Sequence, residues 1–370
     1  MNILFYFTFG YSLQSWEKSG TLDKELTFFK NLADKYKVKF IFVTYGNEED
    51  EKLLDNEDCF KVIPIYKYIK YRKSKTLSHL QSLYFPFKLK KITNDFNLIK
   101  QNQLQGVWSS IILKFITKKP LIVRTGYDVL TFTKMEKKSF IKIFVYKLIT
   151  RVAIKFSNIF TVTSEVDKYF LENTFKPLKK IELRPNWIVL EDEIKKTEVN
   201  KLISIGRLEK QKNYNFLIDL FSESNIEIDV YGLGNDKDSL VEYSKIKNTK
   251  INFLGRVENR ELLSKLQKHK FYITTSLFEG NPKTVLEAMS KGCVVFASKI
   301  PSHEEIINHL EDGFLFDFNE KNTLDNIKEI MGNKELVKKI SKNARLRVAN
   351  KNNINNLIEL EINDYQSIIN

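Results

Sequence analysis

Two glutamates stand eight residues apart in the run Ser276-Leu-Phe-Glu279-Gly280-Asn281-Pro282-Lys283-Thr284-Val285-Leu286-Glu287-Ala288-Met289. The run reads as a loop entering a helix. Asn281 is expected to cap that helix, Pro282 to take its first position and Gly292 to follow its end. The first-turn N–H groups and the positive dipole end suit an anion. Glu287 follows Thr284 by three residues and Lys283 by four, so the three share a face. Carboxylates at the mouth and on that face can accept hydrogen bonds from hydroxyls. Alone, Glu287 would read as an exposed helix residue; its spacing from Glu279 around a capped helix argues otherwise. The chemistry suggested is the holding of a ligand that carries both phosphate and sugar hydroxyls.

A second run, Ser204-Ile-Gly206-Arg207-Leu-Glu-Lys-Gln-Lys212-Asn213, ends a strand at Gly206 and meets a helix near Tyr214, with Asn213 as its expected cap. Arg207 and Lys212 thus fall on a loop at a strand's carboxyl end, where two cations suit a diphosphate. By itself such a loop is more often a solvated basic turn. Tyr231-Gly232-Leu-Gly234 leaves room for close approach, but lacks the full dinucleotide fingerprint. Gly255-Arg256-Val257 closes another strand and could wall a base pocket, or could be an ordinary turn.

These loops need elements to position them. Short apolar runs alternate with helical patterns throughout, the signature of parallel sheets with crossover helices. Strands are expected over 3–7, 39–43, 106–108, 121–123 and 159–162, with a helix over 22–36. The pattern restarts with strands over 202–205, 227–231, 251–254, 271–274 and 294–297, and helices over 214–222, 241–244, 260–268 and 283–291. A chain of 370 residues fits two domains. We place them at 1–186 and 187–350, with a final helix in 351–370 that ends the second domain or crosses back to the first. In doubly wound sheets ligands bind beyond the strands' carboxyl ends, so two such sheets would make a cleft.

Taken together, the pieces over residues 206–316 resemble the retaining GT-B glycosyltransferases of family 4. They are Gly206-Arg-Leu with Lys212, Gly232-x-Gly234, Phe253-Leu-Gly255-Arg-Val257, the glutamates at 279 and 287, and Glu311-Asp-Gly313-Phe-Leu-Phe. The first half matches more loosely, through Gly10-Tyr-Ser-Leu-Gln-Ser-Trp16, Val162-Thr-Ser164-Glu165 and Pro185-Asn186. The resemblance implies two Rossmann-like domains facing across a cleft. It implies a nucleotide-diphospho-sugar donor, a UDP-sugar, with catalytic roles for Arg207, Lys212 and Glu279. It puts Gly206, Gly232, Arg256, Val257, Gly280, Asn281, Lys283, Thr284, Val285 and Glu287 around the donor. Gly10, Trp16, Tyr127 and Asp128 fall on the acceptor side. It implies no cofactor and no metal, retention of configuration, and a glycan or lipid-linked acceptor in cell-surface polysaccharide synthesis. The chain departs from the family at Pro282 and Thr284. Pro301-Ser-His303 replaces the usual Gly-Gly, which makes His303 structural rather than catalytic. Arg124-Thr-Gly126-Tyr127-Asp128 stands where many members carry a histidine.

Composition bounds the alternatives. Cys59 and Cys293 lack ligand spacing and read as reduced thiols of a cytoplasmic protein. Met1-Asn-Ile-Leu-Phe-Tyr-Phe7 reads as a buried strand rather than a signal peptide. The net charge of +14 is uneven: residues 66–155 hold 20 basic against 3 acidic residues, while 191–370 are near neutral with 27 against 28. The basic segment could dock on an anionic membrane surface at the inner face, making the protein peripheral; equally it could be a solvated face. Within it, residues 139–156 read as a core helix with one exposed basic stripe. Nucleic acid is not expected as a partner, because no recognition motif accompanies the charge. A nucleotide-sugar-binding protein without transfer, or a sugar-nucleotide epimerase, stand as alternatives to a transferase.

Overall fold

The computed structural model describes residues 1–126, 130, 133, 139–191 and 199–369. The chain forms two compact units, Met1–Pro185 with Leu357–Asn370, and Asn186–Asn356.

In the first unit, β1 (Asn2–Tyr6), β2 (Lys39–Thr44), β3 (Phe60–Pro64), β4 (Leu98–Asn102), β5 (Leu121–Thr125), β6 (Ile159–Val162) and β7 (Glu182–Leu183) form one sheet ordered β3-β2-β1-β4-β5-β6-β7. In the second, β8 (Val199–Ile205), β9 (Ile228–Tyr231), β10 (Ile251–Gly255), β11 (His269–Thr274), β12 (Val294–Ser298) and β13 (Phe314–Phe316) are ordered β10-β9-β8-β11-β12-β13. Every pairing between named strands is parallel. The order reverses at β1 and at β8, so each sheet opens a crevice at its carboxyl ends there.

Helices cover both faces of each sheet, which is why the strands read as unbroken apolar runs. In β11, Phe271 and Ile273 join Leu217 and Phe221 on one side. Tyr272 joins Leu286 and Met289 on the other.

The expected helix over 22–36 is found as Leu22–Tyr36, and the five strands expected in the second half all form. The expected strand over 106–108 does not. Gly106 takes φ +97 and starts the helix Val107–Thr117; the neighbouring strand is β4. Buried Lys100 and Gln101 interrupt β4's apolar pattern. Lys100 is tolerated there because the helix Ile354–Ile369 brings Glu361 to it. The same helix sets Asp364 against the Arg184 guanidinium as a fork, with Nε donating to Oδ2 at 2.7 Å. The helix Phe140–Phe156 is mostly exposed, with only Thr150, Ala153 and Ile154 fully buried, rather than the core element its apolarity suggested.

Candidate functional site

Every donor-side residue singled out in the sequence lies in the second unit at or after the carboxyl ends of β8 to β11. The loop leaving β8 and the loop leaving β11 are tied together. Leu277 N donates to the Gln211 carbonyl at 2.9 Å, and the Thr275 hydroxyl reaches the Lys212 carbonyl at 2.9 Å. Gln211 Nε2 donates to the Phe278 carbonyl at 2.8 Å.

This junction brings Lys212 and Glu279 together. Lys212 Nζ donates to Glu279 Oε1, Ser276 Oγ donates to the same oxygen at 2.7 Å, and Gln211 Nε2 lies 3.5 Å from Oε2. Gly206 lies under the Lys212 stem: a Cβ there would sit 2.9 Å from Lys212 Cε. Arg207 is exposed and loosely held, with Nη1 3.2 Å from Glu209 and Nη2 3.4 Å from Gln211.

The helix spans Lys283–Ser290 and starts where expected, but Pro282 stands at its cap rather than in its first position. No side chain caps the helix. Asn281 serves another purpose. Its Oδ1 accepts from Asn186 N at 3.2 Å, and its carbonyl accepts from Asn186 Nδ2 at 2.7 Å. Asn352 Nδ2 in turn donates to the Asn186 carbonyl at 2.7 Å. The loop before the helix is thus pinned to residues 186 and 352, and Gly280, Asn281 and Val285 are buried. Asn213 likewise takes a left-handed conformation, φ 52°, without a side-chain capping bond. Thr284 Oγ1 accepts from Tyr272 OH at 3.1 Å, and Glu287 is buried one turn further on. Val285 N and Leu286 N donate to the Pro282 carbonyl at 3.1 and 3.3 Å, and the N–H groups of Lys283 and Thr284 precede these first intrahelical bonds.

Gly232 is also required for loop packing. It takes φ +154, and a Cβ would fall 1.8 Å from the Gly206 carbonyl oxygen. Gly234 faces the Leu208 carbonyl in the same way. These glycines let the β9 loop pack on the β8 loop, sealed by Leu208 N to the Leu233 carbonyl at 3.0 Å. Arg256 is exposed after β10, and Val257 packs against the core cluster of Leu286 and Met289.

Sequence reasoning left Ser276, Gln211 and Ser298 without roles. Ser276, three residues before Glu279, was the readable signal; the others are joined only by the fold. Ser298 Oγ donates to the Ser276 carbonyl at 2.6 Å. His303 Nδ1 lies 2.7 Å from the Ser298 carbonyl, so it carries the proton and donates. Among the described residues Nε2 is then a buried acceptor without a partner. Burial pushes the His303 pKa down to about 4, so its ring is neutral; the Ser298 carbonyl and Glu279 oppose this shift, and Lys212 adds to it.

On the first unit's side, Gly10 is exposed after β1 with φ +81. Trp16 lies on the helix Leu13–Lys18 and is buried, its ring 4.4 Å from that of Phe7. Tyr127 and Asp128 lie outside the described residues. Among the described residues no group of three His, Cys, Asp or Glu side chains could hold a metal. A groove of about 1330 Å³ lies between the amino ends of β11 and β12 and the helix Lys334–Asn352, beside Glu191, Lys270 and Gly292, away from this junction.

Residues 187–347 match the family described as Glycosyl transferases group 1. A Klebsiella pneumoniae protein named "Uncharacterized 41.2 kDa protein in cps region" is 23% identical over 76% of this chain and 82% of its own length. The Campylobacter jejuni GalNAc-alpha-(1->4)-GalNAc-alpha-(1->3)-diNAcBac-PP-undecaprenol alpha-1,4-N-acetyl-D-galactosaminyltransferase is 26% identical over 64% of this chain and 66% of its own. The crystal structure of Anabaena HepE in complex with UDP and glucose matches in fold with a TM-score of 0.75, at 18% identity, over 99% of this chain and 100% of that one.

Proposed function

We propose that this chain, whose residues 187–347 match the Glycosyl transferases group 1 family and whose two parallel-sheet domains have the GT-B fold, moves a sugar from a nucleotide-diphospho-sugar to a glycan or lipid-linked acceptor, with retention. The observation that carries this reading is the Lys212–Glu279 pair, held beside Gly206 and Ser276 just before the helix that starts at Lys283. Breaking the anomeric bond loads negative charge onto the leaving diphosphate. Arg207, Lys212 and the positive end of the helix stabilise that charge as it develops. Glu279 orients the sugar, and Glu287 accepts from the ribose hydroxyls. Gly206, Gly232, Gly280, Asn281, Lys283, Thr284 and Val285 shape the donor's bed, with Arg256 and Val257 at its base end. The acceptor hydroxyl attacks from the face the phosphate leaves, and the departing phosphate oxygen takes its proton. No side-chain base and no metal is then needed, and the configuration is kept.

UDP as the nucleotide is supported by the complex of HepE with UDP and glucose. A lipid-borne glycan acceptor in cell-surface polysaccharide synthesis is supported by the undecaprenol in the Campylobacter enzyme's name and by the cps region of the Klebsiella relative. Gly10, Tyr127 and Asp128 are assigned to the acceptor side, and the enzyme to the cytoplasmic face of the membrane as a peripheral protein. Thermal shift with UDP, GDP, ADP and CDP should give the largest rise with UDP. Radiolabelled UDP-sugars with a membrane extract should then yield a labelled, lipid-extractable product. No stabilisation by any of the four nucleotides and no incorporation would falsify the reading.

A further inference from the structure

Three helices, Lys75–Ile92, Val107–Thr117 and Phe140–Phe156, pack side by side in the first unit. Ser109 Oγ donates to the Ser82 carbonyl at 2.7 Å and joins the first two. The rings of Phe115 and Phe156, 5.2 Å apart, join the second to the third. These helices precede or connect β4, β5 and β6, strands that follow one another in space. Right-handed crossovers put all three on one side of the sheet, so their outer faces look the same way.

That outer layer is apolar where a solvated surface should be polar. On the third helix Phe140 is 80% exposed, Ile141 73%, Phe144 59% and Leu148 53%. Phe140, Phe144 and Leu148 recur every four residues and form one stripe. On the first helix Tyr84 and Phe87 are exposed as well. The stripe runs on into Arg151 and Lys155, and Lys142 and Lys147 flank it, all exposed. A contiguous apolar patch of this kind marks an interaction surface. The surrounding charge says which: residues 66–155 carry a net +17, with acidic residues only at Asp95, Asp128 and Glu136. A bilayer rich in anionic lipid offers both an apolar phase for the ring-bearing stripe and a negative surface for the lysines that rim it. Lysine and arginine stems can follow the apolar phase while their charges stay in the headgroups. No helix among the described residues is long and apolar enough to cross a membrane.

We propose that this three-helix layer is the membrane-docking face of the protein, with Phe140, Ile141, Phe144 and Leu148 entering an anionic bilayer and Tyr84 and Phe87 seated at its interface. The inference rests on the peripheral location assigned above and goes beyond it by naming the face and by requiring insertion rather than charge attraction alone. Docking there sets the first unit on the surface where a lipid-linked acceptor is held.

The test is co-sedimentation with large vesicles of phosphatidylcholine alone and of phosphatidylcholine with phosphatidylglycerol, at low and at high salt. The full chain binds the anionic vesicles at low salt and keeps part of its binding at high salt, because the apolar contribution is not screened. Two variants on separate helices, Phe140→Ser/Phe144→Ser/Leu148→Ser and Tyr84→Ser/Phe87→Ser, each weaken binding by about tenfold or more, with the thermal transition and its rise with UDP unchanged. Lys147→Glu/Arg151→Glu/Lys155→Glu weakens binding at low salt. Wild-type protein that ignores anionic vesicles overturns the proposal, as do apolar variants that bind like wild type. A dimer in light scattering that the apolar substitutions break, without vesicle binding, assigns the face to a second copy and overturns it too. Vesicle binding without any nucleotide response would remove the donor reading and leave this face standing; nucleotide response without vesicle binding does the reverse.

Discussion

Among the described residues, two of the Lys–Glu pairs have both side chains largely buried, and they differ in what surrounds them. Lys100 and Glu361 meet inside the first unit, their side chains 4% and 7% exposed, with the ammonium 5.9 Å from the Phe28 ring centre and 5.6 Å from that of Tyr365. Lys212 and Glu279 meet in the second unit at 14% and 11%, on loops beyond the strand ends, with Ser276 and Gln211 as further partners. The first pair is walled by rings and ties a helix to a strand. The second is walled by hydroxyl, amide and backbone groups beside a helix start, where an incoming ligand can exchange partners with it. A buried ion pair therefore says little until its surroundings are read.

The sharpest way to break the comparison is to remove one partner from the sealed pair. Glu361→Ala strands the Lys100 ammonium and should cost about 3–5 kcal/mol of first-unit stability, read by denaturant unfolding. Lys100→Met/Glu361→Leu should recover part of that loss, since both charges of the pair leave together while the buried Arg124 still loses Glu361 as a charge partner. Burial pushes the Glu361 carboxyl up, but the Lys100 ammonium and its hydrogen bond outweigh this and hold it below the ordinary range. Its stabilising contribution is therefore full above its unfolded value near 4.5 and fades as pH falls below that, through the lower folded value. A wild-type acid transition no different from that of the double variant would show that the pair does not act as a clamp.

Lys212→Ala should behave oppositely, losing transfer by about 10²–10³-fold with a small change in melting temperature, because Ser276 and Gln211 still satisfy Glu279. Lys212→Met/Glu279→Leu should remain folded and stay inactive. Recovery of transfer in that double variant, measured with radiolabelled donor, would make this pair a clamp like the first.

A third difference is pH response. His303 is buried and neutral, its pKa lowered to about 4 from 6.5, so below pH 6.5 the unfolded chain gains a proton that the folded chain refuses. Stability should fall between pH 6.5 and about 4, by as much as about 3 kcal/mol, and then level. His303→Asn keeps a donor near the Nδ1 position without the titration and should flatten that part of the profile. The transfer rate between pH 6.5 and 8 should show no His303 titration, and a rate step there that vanishes in His303→Asn would contradict a neutral ring.

How much of this was legible in the sequence differs between the two pairs for the same reason. Lys212 and Glu279 each stand in a short local pattern, a glycine-bounded strand end and a loop before a proline-started helix, so their neighbourhood could be read from spacing. Lys100 and Glu361 are 261 residues apart, and nothing local marks either. The same blindness hid β4, since a strand with Lys100 and Gln101 inside it lacks the apolar run that reveals β1, β8 and β12. The Asn186–Asn281–Asn352 chain is another contact that only the fold makes; Asn281 looked like a cap because its local context is that of one. Apolar content also misled for Phe140–Phe156: it sets how much a helix gains from leaving water, not whether protein or another phase receives it.

The smallest effect concerns Arg207, the one catalytic candidate left in solvent. Its Nη1 lies 3.2 Å from Glu209, a pair 68% and 39% exposed and so worth little to the fold. Glu209→Ala should leave the melting temperature essentially unchanged. It should also release Arg207 from a competitor, since a diphosphate offers the same guanidinium a better bidentate partner. Tighter UDP binding by about two- to fivefold, read by calorimetry, is the expected size for an exposed pair worth under about 1 kcal/mol. The gain should vanish when Arg207→Ala is added, because nothing then remains to be released. A gain that persists in that double variant would mean Glu209 repels the nucleotide directly, and Arg207 would lose its place beside the phosphates while Lys212 keeps its own.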